Sequence, residues 1–117
     1  MPTTMIYHFI NASDLQRDLG DDVLRVPSLE SQGFIHFSTL DQVIDVANYV
    51  APYDEQMQLL EIDEKMVTPE IRYENLEGGE KLFPHVYGPV NRAAIVGHYT
   101  LEWDGEDGYQ LPAELKL

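Results

Sequence analysis

Residues 33–42 read GFIHFSTLDQ, the clearest change in the chain from a strand pattern to a helix pattern. The aromatic and β-branched residues of 33–38 predict a strand. Thr39 then offers a helix N-cap, and Gln42 follows three residues later, as in a capping box. Apolar residues recur at helical spacing after this cap: Leu40, Val43, Ala47 and Val50. Because Pro52 prevents further extension, a strand leading into one short helix is predicted.

The preceding segment predicts a similar strand and helix. Residues 5–10 (MIYHFI) are short, apolar and aromatic, which is typical of a strand. Residues 11–20 (NASDLQRDLG) predict a short helix that Asn11 or Ser13 can cap. Residues 21–32 predict a loop that can include a turn of helix.

Strand patterns dominate the second half. The strands are predicted at residues 57–62, 71–75, 93–103 and 109–111, with turns at 68–69 and 104–108. The sequence contains no repeat, low-complexity tract or linker. We therefore expect a single α+β domain over residues 1–117, with two short helices in the N-terminal half.

Composition excludes several classes of function. The 117 residues include 7 Lys plus Arg and 21 Asp plus Glu, a formal net charge of −14. Seven cationic side chains cannot neutralise many phosphates, and the acidic side chains repel them. We therefore expect no binding to nucleic acid or to an anionic membrane. Without cysteine there is no disulfide or thiol nucleophile. No signal-peptide pattern and no apolar run of roughly 20 residues occurs, so a soluble cytoplasmic protein is expected.

Two histidine-bearing segments carry the strongest chemical signal. In a strand over 34–39 (FIHFST), His36 and Ser38 share one face beside a helix start, where unpaired N–H groups suit a phosphate or carboxylate. The alternative is an edge-strand histidine and a capping hydroxyl. No pair of histidines has a local metal-binding spacing, so no metal site is expected.

The second segment is 83–90, FPHVYGPV. Its two prolines stiffen the backbone, and Gly88 permits a positive φ or a close backbone approach. Such stiffness suits a site that holds His85 and Tyr87 in place; the alternative is a rigid turn whose aromatic rings fill the core. In a chain too small for two cores, we expect this segment to lie beside 34–39.

One strand adds a charged pair. Arg72 and Glu74 are alternate residues, so their side chains are predicted to be adjacent on one face. On a surface they would form a weak ion pair. In a cleft, Glu74 could hold a ribose hydroxyl or stabilise positive charge on a sugar as a glycosidic bond opens.

These segments, taken in order, resemble the bacterial family called domain of unknown function 952. The resemblance runs from about Met5 to Pro112 and rests on six sets of residues: Ile6-Tyr7-His8, Ser28-Leu29, GFIHFST at 33–39, LLEID at 59–63, Tyr73-Glu74 and FPHVYGP at 83–89. That family is grouped by fold with ADP-ribosyltransferases, including the RNA 2′-phosphotransferases. The resemblance therefore implies a split α+β unit with two small, bent sheets around a cleft for NAD.

By this analogy the chain is an ADP-ribosyltransferase-like enzyme acting on NAD or a related nucleotide. The expected catalytic residues are His36, His85 and Glu74. The expected ligand-binding residues are His8, Ser38, Thr39, Arg72 and Tyr87, with Tyr87 stacking on a ring of the ligand. A non-catalytic module that binds a small ligand or a protein is the alternative, as is a structural domain in which both histidine segments are core turns.

Overall fold

The structure is a computed structural model that describes residues 4–50, 56–76, 78–103 and 108–116. The α-helices in these residues are α1 (Ala12–Asp18), α2 (Ser28–Ser31) and α3 (Val43–Val50). The strands are β1 (Met5–Asn11), β2 (Val23–Leu24), β3 (Ile35–His36), β4 (Met57–Asp63), β5 (Ile71–Glu74), β6 (Phe83–Val86), β7 (Val90–Asn91), β8 (Ile95–Thr100), β9 (Glu102–Trp103) and β10 (Tyr109–Gln110). Three 3-10 turns cover Glu64–Met66, Arg92–Ala94 and Ala113–Leu115.

Two three-stranded antiparallel sheets form the frame, one in the order β1-β4-β8 and the other in the order β3-β6-β5. Two strand pairs, β2-β7 and β9-β10, complete the pairing of the described strands. The predicted α+β class with small sheets is confirmed.

The two larger sheets are joined by one backbone bridge between Tyr7 of β1 and Ser38, just after β3. The Tyr7 N–H donates to the Ser38 carbonyl and the Ser38 N–H donates to the Tyr7 carbonyl, each over 2.8 Å. Both residues are buried, so water does not compete for these bonds. Beyond this bridge the sheets diverge and leave a cleft between them.

The sheet that contains β1 and β4 is buried on both faces. Successive strand residues point to opposite sides, so Leu60 and Ile62 of β4 join one apolar cluster while Leu59 joins the other. Val43 and Ala47 of α3 are fully buried against the second cluster. This double burial explains why β4 has apolar residues on both faces, with Met57 and Leu59 on one and Leu60 and Ile62 on the other.

The early elements differ from the prediction in two places. Residues 21–32, predicted as a loop that can include a turn of helix, contain that turn as α2 and also the short strand β2, so the described residues of the N-terminal half have three helices rather than two. The predicted strand over 33–38 shortens to Ile35–His36 because Gly33 has a φ of 89° and Ser38 pairs with β1 instead. The cap at Asn11 is confirmed, because its side chain accepts the Ser13 N–H over 2.7 Å.

The second predicted helix begins later than expected. Gln42 accepts the Thr39 N–H over 3.0 Å, which confirms that half of the capping box, but regular helix starts only at Val43. Val50, which continues the predicted apolar spacing, is 55% exposed, whereas Val43 and Ala47 of the same helix are fully buried. Pro52 lies outside the described residues.

The long strand predicted over 93–103 is divided. Ile95–Thr100 pairs with β4, whereas Glu102–Trp103 belongs to the separate pair with Tyr109–Gln110. The chain changes partner because Leu101, between the two strands, is buried in the second apolar cluster. The predicted hairpin is confirmed in its strands, and its turn residues 104–107 lie outside the described residues.

Gly88 has the close approach that the sequence predicted. A Cβ added there would lie 2.9 Å from Cβ and 3.0 Å from Cγ of Pro69, a ring that cannot turn aside. Its φ is not positive, so space rather than conformation requires glycine.

We expect Gly88→Ala to lower the free energy of unfolding by about 1–3 kcal/mol, the cost of overpacking. The matched control is Gly20→Ala, where the nearest atom to the new Cβ is the Val23 carbonyl oxygen at 3.5 Å. That change should shift stability by less than about 1 kcal/mol. Urea unfolding measures both variants, and equal stabilities for them would contradict the packing argument.

Candidate functional site

A cleft of about 1100 Å³ opens where the two sheets diverge. Its floor comes from β1 and from β3 with the residues after it, and its sides come from α1, α3 and the ends of β5 and β6. Such a volume suits a small organic ligand. Among the sequence-predicted site residues, the cleft is lined by His8, His36, Ser38, Glu74 and His85.

His85 of β6 is almost fully buried, at 4% exposure. Its Nδ1 lies 3.0 Å from Oε1 of Glu74 on the neighbouring strand β5. The ring of Phe34 stacks on it, with centroids 4.4 Å apart and planes at 26°. The carboxylate and the ring together set the orientation of the imidazole.

Glu74 receives a second hydrogen bond from the Tyr87 hydroxyl, which donates to the same Oε1. Hydrogen bonds from Tyr87 and His85 hold the pKa of Glu74 below its ordinary value of 4.5, so the carboxylate is ionised at neutral pH. An ionised carboxylate only accepts, so Nδ1 of His85 carries a proton, and in the neutral imidazole the lone pair lies on Nε2.

The Nε2 atom of His85 has no hydrogen-bond partner among the described residues. No side-chain nitrogen or oxygen in those residues is both fully buried and unpaired, so this atom meets solvent space, and the side chain lines the cleft. His85 therefore has one ring nitrogen held by Glu74 and the other in contact with solvent space.

Two more histidines meet beside it. His36 is the register partner of His85, and their rings lie edge to face with centroids 5.1 Å apart. Nε2 of His36 lies 2.6 Å from Oε1 of Gln32. Nδ1 of His8 lies 2.7 Å from the His36 carbonyl, which can only accept, so His8 carries its proton on Nδ1. The predicted juxtaposition of residues 34–39 and 83–90 is confirmed.

The remaining predicted ligand-binding residues do not line the cleft. The Thr39 N–H is taken by Gln42. Arg72 pairs with Glu70 over 3.0 Å, rather than with Glu74 as predicted, and its guanidinium lies 4.6 Å from the centroid of the Tyr87 ring. Tyr87 uses its hydroxyl on Glu74, so it supports the His85–Glu74 pair from behind and is not placed to stack on a ligand in this cleft.

Acidic side chains on two helices form the walls and were not predicted. Asp14 and Asp18 line the cleft from α1, and Asp45 and Tyr49 line it from α3. Each pair is spaced i, i+4, which places both members on one helix face, and this spacing is the signal that could have found them. Arg17 is the one cation among the described residues that line the cleft, and it is paired with Asp18 over 2.8 Å and with Asp14 over 3.3 Å.

Two classes of site find no support in the part of the chain that the structure describes. No group of three or more His, Asp or Glu side chains there is arranged to hold a metal ion. No helix there has the length and apolar character needed to cross a membrane.

Comparison with known proteins agrees with the resemblance in the sequence. The model of the family "Protein of unknown function (DUF952)" matches residues 9–98, and the chain belongs to that family. This match includes both histidine segments and Glu74. No curated protein matches the chain.

Solved structures share the fold. The chain is similar to the crystal structure of protein CC0527 from Caulobacter crescentus, with a TM-score of 0.80, 22% identity and coverage of 92% of this chain and 95% of that one. It is also similar to the solution NMR structure of CC0527, with a TM-score of 0.73, 22% identity and coverage of 90% of both chains. At this identity the likeness concerns the fold alone.

The tautomer and burial of His8 lead to a pH prediction. Burial lowers the pKa of His8 below 6.5, so the unfolded chain binds a proton at a higher pH than the folded protein does. The contribution of neutral His8 to the stability of the fold is therefore complete above pH 6.5. It is lost as the pH falls from 6.5 towards the pKa of His8 in the folded protein.

Between pH 7 and 5 the wild type should therefore lose more stability than His8→Asn, which keeps a donor for the His36 carbonyl and does not titrate. One proton limits the difference to about 1.4 kcal/mol per pH unit. Urea unfolding at each pH measures it, and parallel stability curves for the two proteins would contradict a buried, neutral His8.

Proposed function

We propose that the cleft is an acid–base catalytic site for a small organic ligand, with Nε2 of His85 as the general base. The observation that carries this proposal is the almost fully buried imidazole whose proton is fixed on Nδ1 by Glu74 while Nε2 faces the cleft. A carboxylate that orients a histidine and stabilises its protonated form is the arrangement that proton-abstracting enzymes use. His36, at 5.1 Å between ring centroids, is placed to contact the same ligand.

In this mechanism His85 takes a proton from a water or hydroxyl group held in the cleft. The oxygen attacks an electrophilic carbon of the ligand, a bond to the leaving group breaks, and the imidazolium returns its proton to the leaving group. Glu74 stabilises the imidazolium while it exists, and Tyr87 keeps the carboxylate in position. Burial around His85 excludes bulk water, which strengthens these interactions.

The test uses ethyl dichloroacetate, an ester whose poor leaving group makes an imidazole act as a general base for attack by water rather than as a nucleophile. We expect the wild type to hydrolyse it about tenfold or more faster than His85→Gln, since positioned proton transfer contributes at least that much. Glu74→Gln should lower the rate with His85 still present. The control is His98→Gln on β8, away from the cleft, which should retain the wild-type rate.

Equal rates for wild type and His85→Gln would contradict general-base catalysis. Circular dichroism and urea unfolding accompany each variant. If His85→Gln does not fold, the comparison of wild type with Glu74→Gln decides, because the partly exposed Glu74 tolerates an amide more easily. If the wild type binds a ligand but hydrolyses the ester no faster than a folded His85→Gln variant, the non-catalytic binding module is favoured.

ADP-ribosyl transfer from NAD, with the ADP-ribosyltransferase-like fold, is the second candidate. The observation that favours it is the ionised Glu74 carboxylate beside His36 and His85 in one cleft. Such a carboxylate stabilises the positive charge that develops on the ribose as the bond from C1′ to the nicotinamide nitrogen breaks. His85 would accept the proton of the attacking water or hydroxyl, and nicotinamide would leave as a neutral molecule.

If this candidate is correct, wild type incubated with NAD should release nicotinamide, and both Glu74→Gln and His85→Gln should reduce the release by about tenfold or more. Chromatography of the products measures it, with His98→Gln again as the control. Hydrolysis of the ester without any nicotinamide release would retain the acid–base site and eliminate NAD as its substrate.

A further inference from the structure

The walls of the cleft carry a negative charge that has no role in the proposed general-base mechanism. Four carboxylates line the cleft, those of Asp14, Asp18, Asp45 and Glu74, against the single guanidinium of Arg17. With neutral histidines this is a formal charge of −3. Since Arg17 is already shared between two of these aspartates, no other cation lining the cleft is available to an anionic ligand.

Asp45 differs from the other three carboxylates. It has no ion-pair or hydrogen-bond partner among the described residues, whereas Asp14 and Asp18 pair with Arg17 and Glu74 is held by His85 and Tyr87. It is therefore the wall carboxylate with no charge to compensate it. In a cleft with apolar walls, such a charge attracts a cation more strongly than it would on an open surface.

Apolar side chains surround the mouth beside Asp45. Tyr49 follows it by one helical turn and is 89% exposed, and Val50 and Leu76, which also line the cleft, are 55% and 60% exposed. A phenol ring next to a carboxylate favours a cation with an apolar body, through contact with the ring face. Exposed apolar residues gathered at one opening indicate a binding surface rather than ordinary surface composition.

We propose that the cleft selects a small organic cation with an aromatic or aliphatic body, held by Asp45 and Tyr49 at the mouth and presented to His85 within. A second observation points to a ligand independently of the acidic walls. His85 is only 4% exposed, and its Nε2 atom has no hydrogen-bond partner among the described residues. This proposal rests on the cleft being the ligand site of the proposed function.

The test compares three probes with the same ring and different charge: 2-phenylethylamine, 2-phenylethanol and 3-phenylpropionate. Chemical shifts of the ¹⁵N-labelled protein give the dissociation constants. We expect the amine to bind most tightly, the alcohol more weakly and the carboxylate not measurably, with shifts in cleft residues. Raising the salt from about 20 mM to about 300 mM should weaken the amine alone, because salt screens the charges.

Asp45→Asn should weaken the amine about two- to fivefold, the range for an exposed ion pair, and leave the alcohol unchanged. The matched control is Asp21→Asn, which changes the net charge equally at an exposed position outside the cleft and should change neither affinity. If Asp45→Asn is unstable, Asp45→Ser removes the same charge at the same exposed position and provides the comparison.

Equal affinity for amine and alcohol, tighter binding of the carboxylate, or no binding by any probe would each overturn the selection of cations. None of these outcomes changes the result of the ester assay, because that assay measures the contribution of His85 and not the selection of cations. Conversely, selective binding of the amine in a protein without any His85-dependent rate would support this proposal and contradict the proposed catalytic function.

Discussion

The double hydrogen bond between the backbones of Tyr7 and Ser38 fixes the position of the two larger sheets relative to each other. Among the described residues it is the one backbone bridge between β1 and the segment after β3, and both of its residues line the cleft. The same bridge brings His8 of β1 to the carbonyl of His36, so one backbone contact sets the positions of two histidines. Since both residues are buried, losing the bridge would leave unpaired polar groups in the core, which is costly.

The site is built by strand register rather than by a local motif. Pairing of β3 with β6 places His36 opposite His85, and pairing of β6 with β5 places Arg72 opposite His85 and Glu74 opposite Phe83. The Glu74 carboxylate therefore reaches His85 diagonally across two strands, within the distance that long side chains span. A shift of one residue in either pairing would turn His85 to the other face of the sheet and remove the pair.

The electrostatics of the cleft follow from the composition of the chain, but their arrangement does not. A net charge of −14 makes acidic side chains common on the cleft walls, yet among the described residues the Glu74 carboxylate is paired and the Asp45 carboxylate has no partner. Glu74 orients the His85 ring through its hydrogen bond, whereas Asp45 is exposed to solvent. Two carboxylates of one cleft therefore have different surroundings.

The α+β class, most of the elements and the cap at Asn11 could be predicted from the sequence alone, because each of these depends on residues near in the chain. The glycine between stiff residues also indicated a close approach at Gly88, although its partner Pro69 lies in a distant segment. The sequence also indicated that the two histidine segments meet, and the family match agrees with the resemblance in these motifs. Only the tertiary structure decided that Glu74 serves His85, that Arg72 turns to Glu70, that Tyr87 lies behind the cleft, and that two helices supply acidic walls. These outcomes depend on register and on the packing of helices against sheets, and contacts between distant segments leave no periodic signal in the sequence.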